Sequence, residues 1–191
     1  MIIILEGVSC VGKSTVARLL MRRLKINLCL HFPTGNPSDL ESRAYRKLGF
    51  TEKYGAKFRI TKDQDYAKKD LDYNYNWIRN LEEDIILDRS YLSHKIYSNR
   101  QVKIKNKKST FTLVARDTDT LKERFINRIG EKQCEFNLQS TIDAIPERNQ
   151  DFIEENINLI YVDGKTPDEI ANEIIIRVSE MKLSNYRIMN S

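Results

Sequence analysis

Gly7-Val8-Ser9-Cys10-Val11-Gly12-Lys13-Ser14 fits the pattern G-x-x-x-x-G-K-[ST] at every position. Its flanks decide what the match means. Ile2 to Leu5, just before it, is a short apolar run that reads as a buried strand. Ser14 to Leu24, just after it, sets Val16, Ala17, Leu19, Leu20 and Leu24 along one helical face. A strand, a glycine-bounded turn and a helix in that order make a cradle for phosphate. Gly7 and Gly12 let the backbone wrap an anion, and the N–H groups between them join the helix N-terminus in supplying positive potential. Lys13 is expected at the β- and γ-phosphates, and the Ser14 hydroxyl at a magnesium ion that arrives with ATP. The expected ATP-binding set is Gly7, Val8, Ser9, Cys10, Val11, Gly12, Lys13, Ser14 and Thr15.

Outward from this unit, strands and helices alternate. Asn27 to Phe32 reads as a second strand, closed by Pro33, Gly35 and Pro37. Ser38 and Asp39 can cap a helix to about Leu48, and Asp63 to Asn80 carries Tyr66, Tyr73 and Trp77 near one helical face. Ile85 to Leu87, Thr110 to Ala115 and Leu159 to Val162 read as further strands. Tyr91 to Ser98, Leu121 to Ile129, Leu138 to Glu154 and Pro167 to about Leu183 read as helices. Asp117 and Thr118 offer caps, and Pro167 sits in a first turn, where its missing N–H costs nothing. Tyr186 to Ser191 is expected to fray. Such alternation predicts an α/β fold, a five-stranded parallel sheet with helices on both faces. No linker or repeat divides the chain, so one domain over 1–191 is expected.

Composition narrows the class. With 191 residues, 40% hydrophobic and 31% charged, the chain can bury a full core. No apolar run nears the roughly 18 residues of a membrane span. Met1 to Leu5 lacks the length and basic flank of a signal peptide, so a cytoplasmic protein with no membrane partner is expected. Cys10, Cys29 and Cys134 have no metal-ligand spacing and read as free thiols. With two histidines besides, an oxygen-bound magnesium is the metal to expect. A net charge of +5 suits polyanionic ligands. Arg100, Lys103, Lys105, Lys107 and Lys108 form a basic run that reads as a solvated loop, and a nucleic-acid partner is not expected.

Two further groups point to chemistry. Ile85-Ile86-Leu87-Asp88-Arg89-Ser90 is a buried strand that ends in an acid and an arginine. Ligands of parallel sheets collect at the carboxyl ends of strands, so Asp88 and Arg89 should face the same crevice as the glycine-rich loop. Asp88 can hold magnesium directly or through water, and Arg89 can grip a phosphate bidentately. Without the loop, the same pair would read as a helix cap and a surface ion pair. Lys122, Arg124, Arg128 and Lys132 then form a basic row, with Arg124 and Arg128 on one helix face. In-line phosphoryl transfer needs positive charge over the equatorial oxygens of the moving group. The loop interior holds no basic residue apart from Lys13, so this row is the candidate source. The candidate catalytic set is therefore Lys13, Asp88, Arg89, Arg124 and Arg128. Asn106-Lys107-Lys108-Ser109 lacks the aspartate of a guanine-reading N-K-x-D, and no switch motif is present, which argues against a regulatory GTPase.

Together these residues resemble the thymidylate kinase family and the related deoxynucleoside kinases. Leu5-Glu6-Gly7 looks like the family's entry into the loop. Phe32-Pro33-Thr34-Gly35-Asn36-Pro37, with Arg43 beyond it, is similar to its Pro-Gly-rich segment after the second strand. Asp88-Arg89-Ser90, followed by Ser93 and Tyr97, is similar to a D-R-Y-x-x-S-x-x-x-Y stretch, and Leu121, Arg124, Arg128 and Glu135 are similar to the lid. The resemblance implies the P-loop nucleoside/nucleotide kinase fold, with phosphoryl transfer from ATP and magnesium. It further implies a lid over about 124–137 whose arginines close over the phosphates, Arg43 and Arg89 at the acceptor, and a homodimer such as relatives often form.

The acceptor turns on proton chemistry. A sugar hydroxyl must lose a proton to attack, which calls for a positioned carboxylate. Deoxynucleoside kinases place one just after the second strand, where this chain reads His31-Phe32-Pro33-Thr34 with no acid before Asp39. A monophosphate attacks through an ionised oxygen and needs no base. That favours a deoxynucleoside monophosphate such as dTMP, with Glu6 and Asp39 as the acids that would reverse the choice. Asp88-Arg89-Ser90 is itself close to the E-R-S of nucleoside kinases, and the basic run leaves a polynucleotide 5′-end kinase as a further alternative. A nucleotide-binding regulator without an acceptor site is the non-enzymatic one. Phe32 and Phe58 are candidates to stack the acceptor base, alongside Tyr66, Tyr73 and Trp77.

Overall fold

Strand β1 (Ile2–Glu6) is buried at every position after the first, and β3 (Ile85–Asp88) and β4 (Thr110–Val114) are buried throughout. Burial without alternation leaves no face for water, as in a parallel sheet covered on both sides. The computed structural model describes residues 1–31, 84–98, 104, 107–130 and 138–189. With β2 (Leu28–His31) and β5 (Leu159–Tyr161), the described strands form one parallel sheet in the order β2-β3-β1-β4-β5. Leu5 pairs with Asp88, His31 pairs with Asp88, and Glu6 pairs with Thr112. The carboxyl ends of β1, β2 and β3 are thus level. The chain runs from β1 to one side of the sheet and later returns to the other side, the arrangement that opens a crevice at those ends.

Among the described residues five α-helices flank the sheet: α1 (Lys13–Leu24), α2 (Tyr91–Ser98), α3 (Asp119–Gly130), α4 (Leu138–Glu154) and α5 (Pro167–Met189). α1 packs on α5, and α4 packs on α2, α3 and β4. Leu20 of α1, Phe111 and Leu113 of β4, Phe152 of α4 and Ile174 of α5 are shut off from solvent and join one continuous core. Arg23 ties α1 to α5 through the Asp168 carboxylate and the Asn172 side-chain oxygen. Asn149, buried in mid-α4, donates to the Ala115 carbonyl at 2.8 Å and accepts the Ala115 N–H at 3.1 Å. It continues the pairing of β4 past the end of the strand.

The helix starts follow the sequence. Asp117 accepts the Asp119 N–H and the Thr120 hydroxyl at the head of α3, and Thr166 and Glu169 cap α5 reciprocally. The last helix differs from expectation. α5 runs on to Met189, because no glycine or proline follows Leu183 to stop it. The expected helices over 38–48 and 63–80 lie outside the described residues. No helix among the described residues is long and apolar enough to cross a membrane.

Candidate functional site

The loop between β1 and α1 takes its shape from two glycines. Gly7 has φ 134, and a Cβ there would come to 2.2 Å from the Leu113 carbonyl oxygen, so loop and β4 approach closely only because the side chain is missing. Gly12, at φ 105, is the N-cap of α1 and accepts the Thr15 and Val16 N–H groups at 3.1 and 3.0 Å. Lys13 is buried within the loop. Its Nζ donates to the Gly7 and Val8 carbonyls at 3.0 and 2.9 Å. Burial, reinforced by the nearby Arg89 charge, pushes the Lys13 ammonium down to about 7.

Ser14 opens the first turn of α1, and its hydroxyl donates to Asp88 Oδ2 at 2.6 Å. The Leu5–Asp88 register brings the two together. A hydroxyl and a carboxylate at the mouth of a phosphate cradle are hard oxygen donors, a set that fits magnesium.

Arg89 is the first residue beyond β3 and has φ 80, a left-handed conformation that few non-glycine residues keep. Its N–H donates to the Leu5 carbonyl at 2.8 Å, and its Nη2 donates to Ser9 Oγ at 3.2 Å, so the guanidinium leans on the glycine-rich loop. The same guanidinium lies 4.8 Å from the centre of the Tyr97 ring, and that of Arg148, from α4, lies 5.0 Å from it. Glu6, wholly buried at the end of β1, accepts the Leu92 N–H at 3.2 Å and the Ser93 hydroxyl. Burial pushes its carboxyl up to about 7, against the pull of Ser93, Arg89 and Lys13.

On the other side of the loop, beyond β4, a cleft of about 360 Å³ opens at the carboxyl ends of β4 and β5. Ala115, Leu121 and Val162 give it an apolar lining, and Arg124, Lys165 and Thr166 add polar groups. Asp163 fixes its wall by accepting the Arg116 and Asp117 N–H groups at 2.9 and 3.0 Å.

The structure therefore brings Lys13, Ser14, Asp88 and Arg89 together around residues 7–15. Arg124 and Arg128 are exposed on α3, and only Arg124 lines the cleft. Phe32, Arg43 and Phe58 lie outside the described residues, as do Lys132 and Glu135 of the lid segment. Reading the sequence missed Arg148, Glu6 as a buried anchor, and the β5–α5 turn. Arg148 carried no signal beyond its charge, whereas the Thr166–Glu169 capping box marked the turn.

No protein-family model and no curated protein matches the sequence. Solved structures do match the fold. YorR from Bacillus subtilis, in complex with phosphorylated GDP, is similar at TM-score 0.56 and 20% identity, over 94% of this chain and 96% of that one. Deoxyadenosine kinase from M. mycoides, with dCMP and a flexible dCDP bound, is similar at 0.57 and 17%, over 94% and 100%. Shikimate kinase from Acinetobacter baumannii, in complex with shikimate, is similar at 0.54 and 14%, over 96% and 93%. The fold is that of the P-loop kinases. At these identities the likeness carries the fold alone, and the resemblance to thymidylate kinases is supported only as far as that fold.

Proposed function

We propose that this chain transfers the γ-phosphoryl group of ATP to a deoxynucleoside monophosphate, giving ADP and the diphosphate. The observation that carries the reading is the pair of guanidiniums on the β3 side, Arg89 resting on Ser9 and Arg148 sharing the Tyr97 ring. Two such groups beside the loop suit an acceptor that brings its own phosphate. Proton chemistry agrees. Of the acids that end β1 and β3, Glu6 has both oxygens engaged inside the protein and Asp88 takes the Ser14 hydroxyl. With Asp88 assigned to magnesium in this reading, neither is left to take a proton from a sugar hydroxyl, and a monophosphate asks for none. Asp39, the other acid in question, lies outside the described residues.

In this reading the loop from Gly7 to Thr15 holds the ATP phosphates, with Lys13 swinging from its carbonyls to the β- and γ-oxygens. Ser14 and Asp88 would hold magnesium, which neutralises charge on those oxygens when bound. Arg89 and Arg148 hold the acceptor phosphate. Arg124 and Arg128 stand at the start of the lid segment, about 124–137, and supply charge to the moving group. The base of ATP enters the cleft beside β4 and β5, against Ala115, Leu121 and Val162. The known fold relatives hold nucleotides in two of the three structures named above, which supports a nucleotide-sized ligand.

A nucleoside acceptor is the second reading, favoured by the Asp88-Arg89-Ser90 sequence. ADP release measured against the four dNMPs, the four deoxynucleosides and a 5′-hydroxyl oligonucleotide separates them. The monophosphates, dTMP first, are expected to stimulate release. Stimulation by nucleosides alone overturns the assignment.

A further inference from the structure

Glu6 is shut off from solvent, yet its carboxyl group is fully employed. Oε1 accepts the Leu92 N–H at 3.2 Å and Oε2 accepts the Ser93 hydroxyl, both in the first turn of α2. One residue earlier, the Leu5 carbonyl accepts the Arg89 N–H at 2.8 Å. The end of β1 therefore grips both ends of the turn that runs from Arg89 to Ser93.

Within that turn Arg89 sits at φ 80. A residue with a side chain stays in this region only where its surroundings over-determine it. The grip from Leu5 and Glu6 is such a constraint, and it aims the guanidinium at Ser9 Oγ. Lys13 and Arg89 are the nearby cations that act on Glu6, pulling against the effect of burial.

We propose that Glu6 is a positioning residue for Arg89: by holding Leu92 and Ser93 it fixes the β3–α2 turn and keeps the guanidinium against the phosphate loop. The inference rests on the phosphotransferase reading of the site, and it makes Glu6 neither a base nor a ligand. Its removal shifts where Arg89 lies, and a displacement of about 1 Å at a reacting site can cost on the order of 100-fold in rate.

The test is a double-mutant cycle. ATP affinity by calorimetry and turnover per folded molecule are measured for the wild type, Glu6→Ala, Arg89→Ala and the double variant. Glu6→Ala is expected to lower at least one of them by about 10- to 100-fold. The double variant is expected to be no worse than Arg89→Ala, because Glu6 acts only through Arg89. Ser93→Ala, which removes one of the two hydrogen bonds, should fall between wild type and Glu6→Ala. Should Glu6→Ala fail to fold, Glu6→Gln keeps the size and one acceptor oxygen, and the same cycle is run with it. Losses that add in the double variant overturn the proposal. So does a folded Glu6 variant that behaves as wild type, or an Arg89→Ala chain that behaves as wild type while the Glu6 variant does not. If the wild type transfers phosphate to no acceptor, the phosphotransferase reading fails by itself. The ATP affinities still decide the cycle in that case.

Discussion

Burial moves two opposite charges toward the same value in this site: Lys13 falls to about 7 and Glu6 rises to about 7. For Glu6 the consequence can be followed in stability. The folded protein holds the Glu6 proton more tightly than an unfolded chain does, where the group titrates near 4.5. The stability from the neutral carboxyl is therefore complete below about pH 4.5 and is lost as pH rises to about 7. Glu6→Gln cannot ionise. Relative to this variant, the wild type should lose stability between pH 5 and pH 8, at about 1.4 kcal/mol for each unit that the pKa is raised. Urea denaturation at the two pH values measures the difference, and an unchanged gap would contradict it. At this scale the sequence showed Lys13, Ser14, Asp88 and Arg89, because each belongs to a short motif whose spacing is itself the signal. It could not show what Ser93 and Tyr97 do. Ser93 meets a partner 87 residues away, and Tyr97 lies beneath arginines from two different elements.

The elements were legible where period and punctuation agreed. Unbroken apolar runs marked β1 and β3, the caps Asp117 and Thr118 marked α3, and Pro167 marked the start of α5. The end of α5 was not legible, since Ser184 and Asn185 look like a stop only where something outside the helix competes for them. Nor was the hydrogen-bonded join of α4 to the end of β4, which one buried amide makes beside their packing. Asn149→Ala would leave both the N–H and the C=O of Ala115 without their partner. At roughly 1–3 kcal/mol for each of the two abandoned backbone groups, the variant should lose about 2–6 kcal/mol. A denaturation midpoint close to that of wild type would show that α4 does not hold β4 in this way. Because Ala115 also lines the cleft, ATP binding by the folded variant should weaken as well.

Across the whole molecule, the reversal of strand order at β1 divides the crevice in two. The β4–β5 side carries the cleft with Arg124, and the β3 side carries Arg89 and Arg148. If ATP takes the first side and the acceptor the second, substitutions should separate by side. Arg124→Ala should raise KM for ATP by about 10- to 100-fold with little change in KM for the acceptor, and Arg148→Ala should do the reverse, each losing roughly the 1.5–3 kcal/mol of a hydrogen bond to a charged group. Steady-state kinetics with both substrates varied reads this directly, and equal effects on both constants from both variants would contradict the division. The pattern of alternating strands and helices gave this architecture away, whereas the use of each side depends on loops whose partners are distant in sequence. In the proposed reaction, phosphate held by the loop at Lys13 moves from ATP to a nucleoside monophosphate. Its most direct measurement is mass spectrometry of the products formed from γ-¹⁸O-labelled ATP and a dNMP, by wild type and by Lys13→Ala. The label should appear in the deoxynucleoside diphosphate and fall by about 100- to 1,000-fold in a folded Lys13→Ala chain. Label in no diphosphate with wild type, or equal label with and without Lys13, would contradict it.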